Sequence, residues 1–367
     1  MSRKKLLIYG AGAIGRGYVP WVFGPETYDY YYVESNPELR ALLNQHRSFV
    51  SFKTGDAGYT PLRVDVQHCY APGEERAVLN DMDAIVTAVG PRNFLSLRDT
   101  LTGTHLPVIC CENDASLPEQ MRLWTGNQNV VFAIPDVISS STARADLLSQ
   151  DPLSIITEAG QCFIDERVSQ LPADCTYIDQ EEMAKQWAAK LYVHNTPHCI
   201  AAYLGSLIGG TYLHNAMEHP EIAVIVEGAM DEMAAMLKLR HKIDADFIQY
   251  YRDKELARFR NTLLCDPIAR VAREPFRKLG HKDRLIGAAQ LCLSVGIVPQ
   301  HILVGIMAAF YFERDDDPDA HIQVLRRSLD PAEFLRTIFK LRDSEALFML
   351  LTEHWDQIVS RIERLKK

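Results

Sequence analysis

Nine consecutive residues, Lys190 to His198 (KLYVHNTPH), bring together an amine, a carboxamide and an imidazole. Interconversion of a carbonyl and an alcohol calls for those three groups. An amine can exchange a proton with the reacting oxygen, while an amide donor and a neutral imidazole hold the negative charge that develops there. Asn195 and His198 are three apart and so neighbours on a helical surface, and the long stem of Lys190 can reach the same point from the preceding turn. Pro197 disfavours helical geometry at Thr196. The spacing therefore predicts a helix that ends near His194 and another that starts near Pro197, capped by Asn195 or Thr196. Two other readings compete: an ordinary helix start beside a solvated lysine, and a zinc pair at His194 and His198. The second lacks an HExxH glutamate, and Pro197 interrupts the continuous helix that such a pair needs.

The elements that would position this trio begin at the N-terminus. KKLLIYGAGAIGRG is a short hydrophobic strand running into Gly10, Gly12 and Gly15, a GxGxxG arrangement. The first glycine permits a tight turn, the second lets backbone amides approach a pyrophosphate, and the third lets the next helix pack on the strand. The turn Gly10, Ala11, Gly12, Ala13, Ile14 and Gly15 is thus a candidate dinucleotide site. A second strand, TYDYYYVES, ends at Glu34, nineteen residues after Gly15, where an acid can hydrogen-bond a ribose diol and repel a 2′-phosphate. That pattern favours NAD over NADP. Further strands are expected over 84–89, 106–113, 129–136 and 154–164. Ligands of parallel sheets sit beyond the carboxyl ends of strands, so Ala88, Val89, Gly90 and Asn113 are candidates for the nicotinamide side.

Beyond residue 180 the pattern turns helical. Pro220 to Leu239 carries one apolar stripe (Ile222, Ile225, Val226, Ala229, Met230, Met233, Met236, Leu237), whose methionines belong to a core. The acidic run ERDDDPDA after Phe312 reads as a solvated turn. A basic cluster runs from Arg273 to Arg284 and includes Arg277 and Lys278, where an acidic chain would concentrate positive charge for an anionic substrate.

Length and composition bound these readings. With 367 residues, 47% of them hydrophobic and 24% charged, the chain suits two globular domains, expected over 1–180 and 181–367. No apolar run is long enough for a bilayer, and the start MSRKKLLIYG is too short in apolar residues for a signal peptide, which predicts a cytoplasmic protein without a membrane partner. A net charge of −9 argues against a nucleic-acid partner. Eight cysteines without a CxxC pair indicate neither zinc nor a disulfide framework.

Taken in order, GAGAIGRG, TAVGP (Thr87 to Pro91), CEN (Cys111 to Asn113), KLYVHNTPH with AAYLG, VEGAMDE (Val226 to Glu232), RKLGHKDRLI (Arg277 to Ile286) and DDDP (Asp315 to Pro318) resemble the motifs of the polyol-specific long-chain dehydrogenase/reductase family. The resemblance covers nearly the whole chain. It implies an α/β fold with an N-terminal Rossmann-type doubly wound sheet, a mostly α-helical C-terminal domain, a zinc-independent site between them, and a monomer. It also implies that Lys190 is the general acid/base and that Asn195 and His198 polarise the reacting oxygen; Arg277 and Lys278, which fall in the RKL motif, are candidates to grip a substrate phosphate, against a reading in which they face solvent or bind sugar hydroxyls. Three departures stand out. Trp187 and Ala188 occupy the place of the Glu that family members usually carry before the lysine; NTPH replaces NTGH; and Ser139, Ser140 and Ser141 replace an Asp-Arg pair. The expected activity is NAD-dependent interconversion of a ketose, such as fructose 6-phosphate, and its polyol, mannitol 1-phosphate, by hydride transfer. The alternatives are an unphosphorylated polyol, a hexuronate, or a dinucleotide-binding protein whose chemistry has lapsed.

Overall fold

Strand β1 (Lys4–Tyr9) is apolar on both sides: Leu6 and Ile8 enter one buried layer, Leu7 and Tyr9 the other. A strand of that kind must lie inside a sheet covered on both faces. In the computed structural model, which describes residues 2–168 and 170–366, it does. The chain divides into two compact units, residues 1–187 with 263–265, and residues 188–262 with 266–367.

The first unit is built on a ten-stranded sheet. Its remaining strands are β2 (Tyr28–Val33), β3 (Ser48–Gly55), β4 (Gly58–Tyr70), β5 (Ala84–Thr87), β6 (Val108–Cys110), β7 (Val130–Asp136), β8 (Ile155–Glu158), β9 (Gln161–Asp165) and β10 (Thr176–Ile178). The order is β10-β9-β7-β6-β5-β1-β2-β4-β3-β8, and the six strands from β7 to β4 pair in parallel. β1 has β2 on one side and β5 on the other, so the order reverses there, as in a doubly wound Rossmann sheet. Tyr28, Tyr30 and Tyr32 alternate along β2 and enter one core layer, and the Tyr32 hydroxyl reaches back to the Gly15 carbonyl at 3.3 Å.

Two features of this sheet depart from the sequence pattern. The β3–β4 hairpin does not announce itself, because its strands alternate half-exposed polar residues and β4 contains Pro61. The strand expected over 154–164 is two strands: β8 pairs with β3, while β9 pairs antiparallel with β7. The break falls beside Gly160, where a side chain would stand 2.4 Å from the Asp136 carbonyl oxygen.

In the second unit the helices Thr196–Leu207, Pro220–His241 and Gln300–Phe310 pack on one another. All eight residues of the expected apolar stripe on the 220–241 helix are buried. Glycines set the close approaches: a side chain at Gly228 would meet the His301 ring at 2.5 Å, and one at Gly305 would meet Ile200 at 2.3 Å. Glu232 of the same 220–241 helix caps the 300–310 helix, accepting from His301 N at 2.8 Å and Ile302 N at 3.2 Å. VEGAMDE is thereby explained as a packing and capping motif. The acidic run after Phe312 is not simply solvated. Asp317 and Asp319 are buried and accept from the backbone N–H groups of Glu274 and Phe276, holding the turn that carries Arg277 and Lys278. No helix among the described residues is long and apolar enough to cross a membrane.

Candidate active site

The glycine turn after β1 is packed on two sides and open on a third. Gly10 has φ +92°, and a side chain there would stand 2.5 Å from the Ala88 carbonyl oxygen; one at Gly15 would stand 1.9 Å from that of Gly10. Gly12 meets nothing within 4 Å. The turn is thus fixed by its first and third glycines and exposes the backbone of the second, the arrangement that a pyrophosphate requires. The chain from Ala13 to Tyr18 then winds as a π-helix before the short α-helix Val19–Val22. Glu34, at the end of β2, accepts from Ala11 N and Asn36 N, both at 2.8 Å, which leaves other lone pairs of its carboxylate for a ribose.

Ala88, Val89 and Gly90 are half-buried at the carboxyl end of β5, next to that turn, and Asn113 is exposed after β6. What fixes the Ala88–Gly90 turn is Glu112, a buried residue the motif reading passed over in favour of its neighbour Asn113. Its carboxylate accepts from Val89 N at 3.0 Å and Gly90 N at 2.8 Å. Burial pushes the Glu112 carboxyl upward, against the pull of those N–H groups.

In the second unit the expected helix break at KLYVHNTPH is absent. The helix Gln180–Ala189 continues through a π-helical turn, Lys190–Asn195, into the helix Thr196–Leu207. Neither Asn195 nor Thr196 is a side-chain cap, and Thr196 is helical at φ −66°, ψ −61°. The widened i→i+5 turn accommodates Pro197, whose ring would otherwise crowd the carbonyl four residues back. The Thr196 hydroxyl, which lies within hydrogen-bond distance of the Leu191 carbonyl at 3.3 Å and donates to that of Arg284 at 2.8 Å, ties the turn down.

The π-turn also decides which side chains meet. An α-helix advances about 100° per residue, so five residues would leave Lys190 and Asn195 about 140° apart. One extra residue in the turn brings them back to neighbouring positions, with His198 three residues further on the same face. All three are buried. The Asn195 amide nitrogen Nδ2 has no hydrogen-bond partner, an expensive state for a buried donor unless a ligand supplies an acceptor.

His198 is oriented from behind. Its Nε2 lies 2.9 Å from Asp266 Oδ2, and Asp266 also accepts from Arg270, whose Nε is 3.1 Å from Oδ1. Burial alone would raise the Asp266 carboxyl; Arg270 and His198 outweigh it and hold it below the usual carboxylate range. Burial pushes His198 down to about 4 in spite of Asp266. A neutral imidazole facing a carboxylate must carry its proton on Nε2, so Nδ1 is left as an acceptor. His194 is held in the same manner by buried Glu255, which Arg258 meets at 2.7 Å, and Phe259 stacks on the His198 ring with centroids 5.1 Å apart. Asp266, Arg270 and Glu255 are 61 to 72 residues from the histidines they serve, and nothing local in sequence links them. No group of three metal-ligand side chains occurs among the described residues.

The two basic residues singled out for substrate are both occupied. Arg277 pairs with Glu274 at 2.8 Å and Asp283 at 3.4 Å. Lys278 is buried and donates from Nζ to the carbonyls of Val271 and Arg273; burial and the nearby guanidinium groups push it down to about 7. The departures from the family pattern also have places. Trp187 packs edge-on against Phe132 with centroids 5.2 Å apart. Ser139 shares a 2.6 Å hydrogen bond with Thr157, and Ser140 donates to the Cys265 carbonyl at 3.0 Å.

Comparisons with known proteins bear on the family and the fold. Residues 184–347 match the family model described as the mannitol dehydrogenase C-terminal domain. Over 341 residues the chain is 28% identical to a mannitol-1-phosphate 5-dehydrogenase of Thermoanaerobacter pseudethanolicus, covering 86% of this chain and 88% of that one. Among solved structures, the mannitol 2-dehydrogenase of Pseudomonas fluorescens, in a ternary complex with NAD and D-mannitol, superposes with a TM-score of 0.81 at 14% identity, covering 99% of this chain and 94% of the other. A substrate-free D-sorbitol dehydrogenase superposes with a TM-score of 0.65, also at 14% identity, over 98% and 95% of the two chains. At such identities the structural matches establish the fold alone.

Proposed function

The chain carries the C-terminal domain of the mannitol dehydrogenases, and from that premise we propose that it is an NAD-dependent oxidoreductase that interconverts a ketose and the corresponding polyol without a metal ion. The substrate pair we assign is a hexose phosphate and its polyol phosphate, fructose 6-phosphate and mannitol 1-phosphate. Support for the phosphate comes from the 28% identical relative, which is a mannitol-1-phosphate 5-dehydrogenase.

The observation that carries the reading is Asn195 Nδ2, a buried donor without a partner, one π-turn from Lys190 and three residues from His198. In reduction of the ketose, Lys190 gives a proton to the carbonyl oxygen while the Asn195 amide donates to the charge that builds there. His198 Nδ1, an acceptor by virtue of Asp266, takes the hydrogen bond of a substrate hydroxyl and so orients the sugar. In oxidation the lysine takes the proton back. The Gly10–Gly15 turn, Glu34, Ala88–Gly90 and Asn113 are the residues that would hold the dinucleotide, which when bound supplies or accepts the hydride.

The test is turnover of the purified chain with NADH or NAD and a panel of ketoses, ketose phosphates, hexuronates and their reduced forms. Fructose 6-phosphate and mannitol 1-phosphate should give the highest kcat/KM. A preference for free fructose or a hexuronate would move the substrate assignment, and no turnover on any member would overturn the enzymatic reading.

A further inference from the structure

Arg284 is a buried arginine whose guanidinium is only partly used. Its Nε pairs with Asp283 Oδ1 at 2.7 Å, but its Nη2 is buried without any acceptor. In the same unit, the Tyr203 hydroxyl is fully buried and equally without a partner. The two groups lie within electrostatic range of each other. Buried donors are rarely left unmade, because each gives up its bonds to water and receives nothing in return. Two such buried donors within electrostatic range of each other, one of them cationic, match an anionic oxygen acceptor.

Their placement ties them to the reacting groups. Tyr203 belongs to the Thr196–Leu207 helix, which begins one residue after Asn195. The Arg284 carbonyl accepts from the Thr196 hydroxyl at 2.8 Å, and the Arg284 N–H is held by Asp283 at 2.7 Å. The guanidinium thus hangs from a backbone pinned to the start of the catalytic helix. Its charge is incompletely neutralised, since Asp283 is shared with Arg277. Arg277 spends its Nε and Nη1 on Glu274 and Asp283, and Lys278 gives its Nζ to two backbone carbonyls.

We propose that Arg284 Nη2 and the Tyr203 hydroxyl form the anion-recognising end of the substrate site and bind the phosphate monoester of the sugar, making Arg284 the residue that separates phosphorylated from plain substrates. This rests on the functional reading above. The ligand chemistry is that of an oxyanion on a sugar, and a hexuronate carboxylate shares it.

The experiment compares wild type, Arg284→Gln, Arg284→Lys and Tyr203→Phe on fructose 6-phosphate, fructose and fructuronate. Arg284→Gln should lower the ratio of kcat/KM for fructose 6-phosphate over fructose by about 10- to 100-fold, chiefly through KM, the range for a hydrogen bond to a charged group. Tyr203→Phe, which removes one oxygen from a buried ring, should shift the ratio by several-fold in the same direction, and Arg284→Lys should fall between. Inorganic phosphate should raise the melting temperature of wild type more than that of Tyr203→Phe. If wild type prefers fructose 6-phosphate while every variant loses equally on fructose, Arg284 and Tyr203 are structural: the inference fails and the functional reading survives. If wild type prefers fructuronate and the variants lose on it selectively, phosphate is overturned as the ligand, and the substrate reading falls with it.

Discussion

Asp266 Oδ2 stands 2.9 Å from Nε2 of His198, although 68 residues separate them in sequence. The pair fixes a tautomer as well as an orientation. With its proton held toward a carboxylate that Arg270 keeps ionised, His198 presents a lone pair on Nδ1, so donation to a carbonyl oxygen is left to Asn195 and Lys190.

A pH dependence follows from the same pair. Folded His198 resists protonation until about pH 4, whereas in the unfolded chain it titrates near its ordinary value of about 6.5. Between those values the unfolded state takes up a proton that the native state refuses, so stability falls as pH drops through that window. Melting temperatures measured from pH 7.5 to 4.5 should fall more steeply for wild type than for His198→Gln. Parallel slopes would show that His198 is not the titrating group.

Lys190→Ala should reduce turnover by about two to four orders of magnitude, the usual range for loss of a general acid/base. Dinucleotide affinity should stay close to that of wild type, because the glycine turn lies in the other unit. Near-normal turnover on the best substrate would make the lysine a packing residue.

Replacing Asn195 by Ala removes one donor to the developing negative charge. The expected loss is about 10²- to 10³-fold in kcat with little change in KM, since the bond strengthens as charge develops. A loss confined to KM would mean that the amide merely binds substrate.

Glu34 bears on the choice of dinucleotide. NADH should bind in preference to NADPH, and Glu34→Ser should narrow the gap, because the acid both accepts from a ribose and repels a 2′-phosphate. Tighter binding of NADPH to the unaltered chain, read by fluorescence titration, would refute this.

Gly305 tests the packing. Its side-chain position is 2.3 Å from Ile200 on the catalytic helix, so Gly305→Ala should cost about 1–3 kcal/mol through overpacking. Adding Ile200→Ala opens space on the other side, and the double variant should lose less than the two single losses combined, which a double-mutant cycle measures.

The parts of the molecule legible in the sequence are those whose physics is local. β1 could be read from an apolar run ending in glycines, and the 220–241 helix from a stripe that is buried residue for residue. The β3–β4 hairpin escaped because half-exposed strands alternate too weakly, and the split at Gly160 because pairing partners decide it. At the site, side chains adjacent in the chain stood out, whereas Asp266 and Glu255 did not, and Arg284 stood out only as the last member of a basic cluster. A carboxylate behind a histidine, or a guanidinium with one idle nitrogen, acquires its meaning from partners dozens of residues away. Pro197 misled for a related reason: the rule that a proline breaks a helix assumes an α-helical turn before it, and here that turn is wider.

The π-turn at Lys190–Asn195 makes residue count a functional variable. Most positions tolerate a change of identity better than a change of number, and loops, not helices, are where a deletion is most simply absorbed. Here, excising one residue between Lys190 and Asn195 would let the segment relax into an unbroken α-helix in which the two stand four apart, about 40° from each other and still neighbours. At the present count, by contrast, plain α-helical winding would part them by about 140°, so the spacing of five and the widened turn belong together. An insertion within these six residues would instead turn the lysine by about a further 100° relative to the amide, with Lys190, Asn195 and His198 all unchanged in identity.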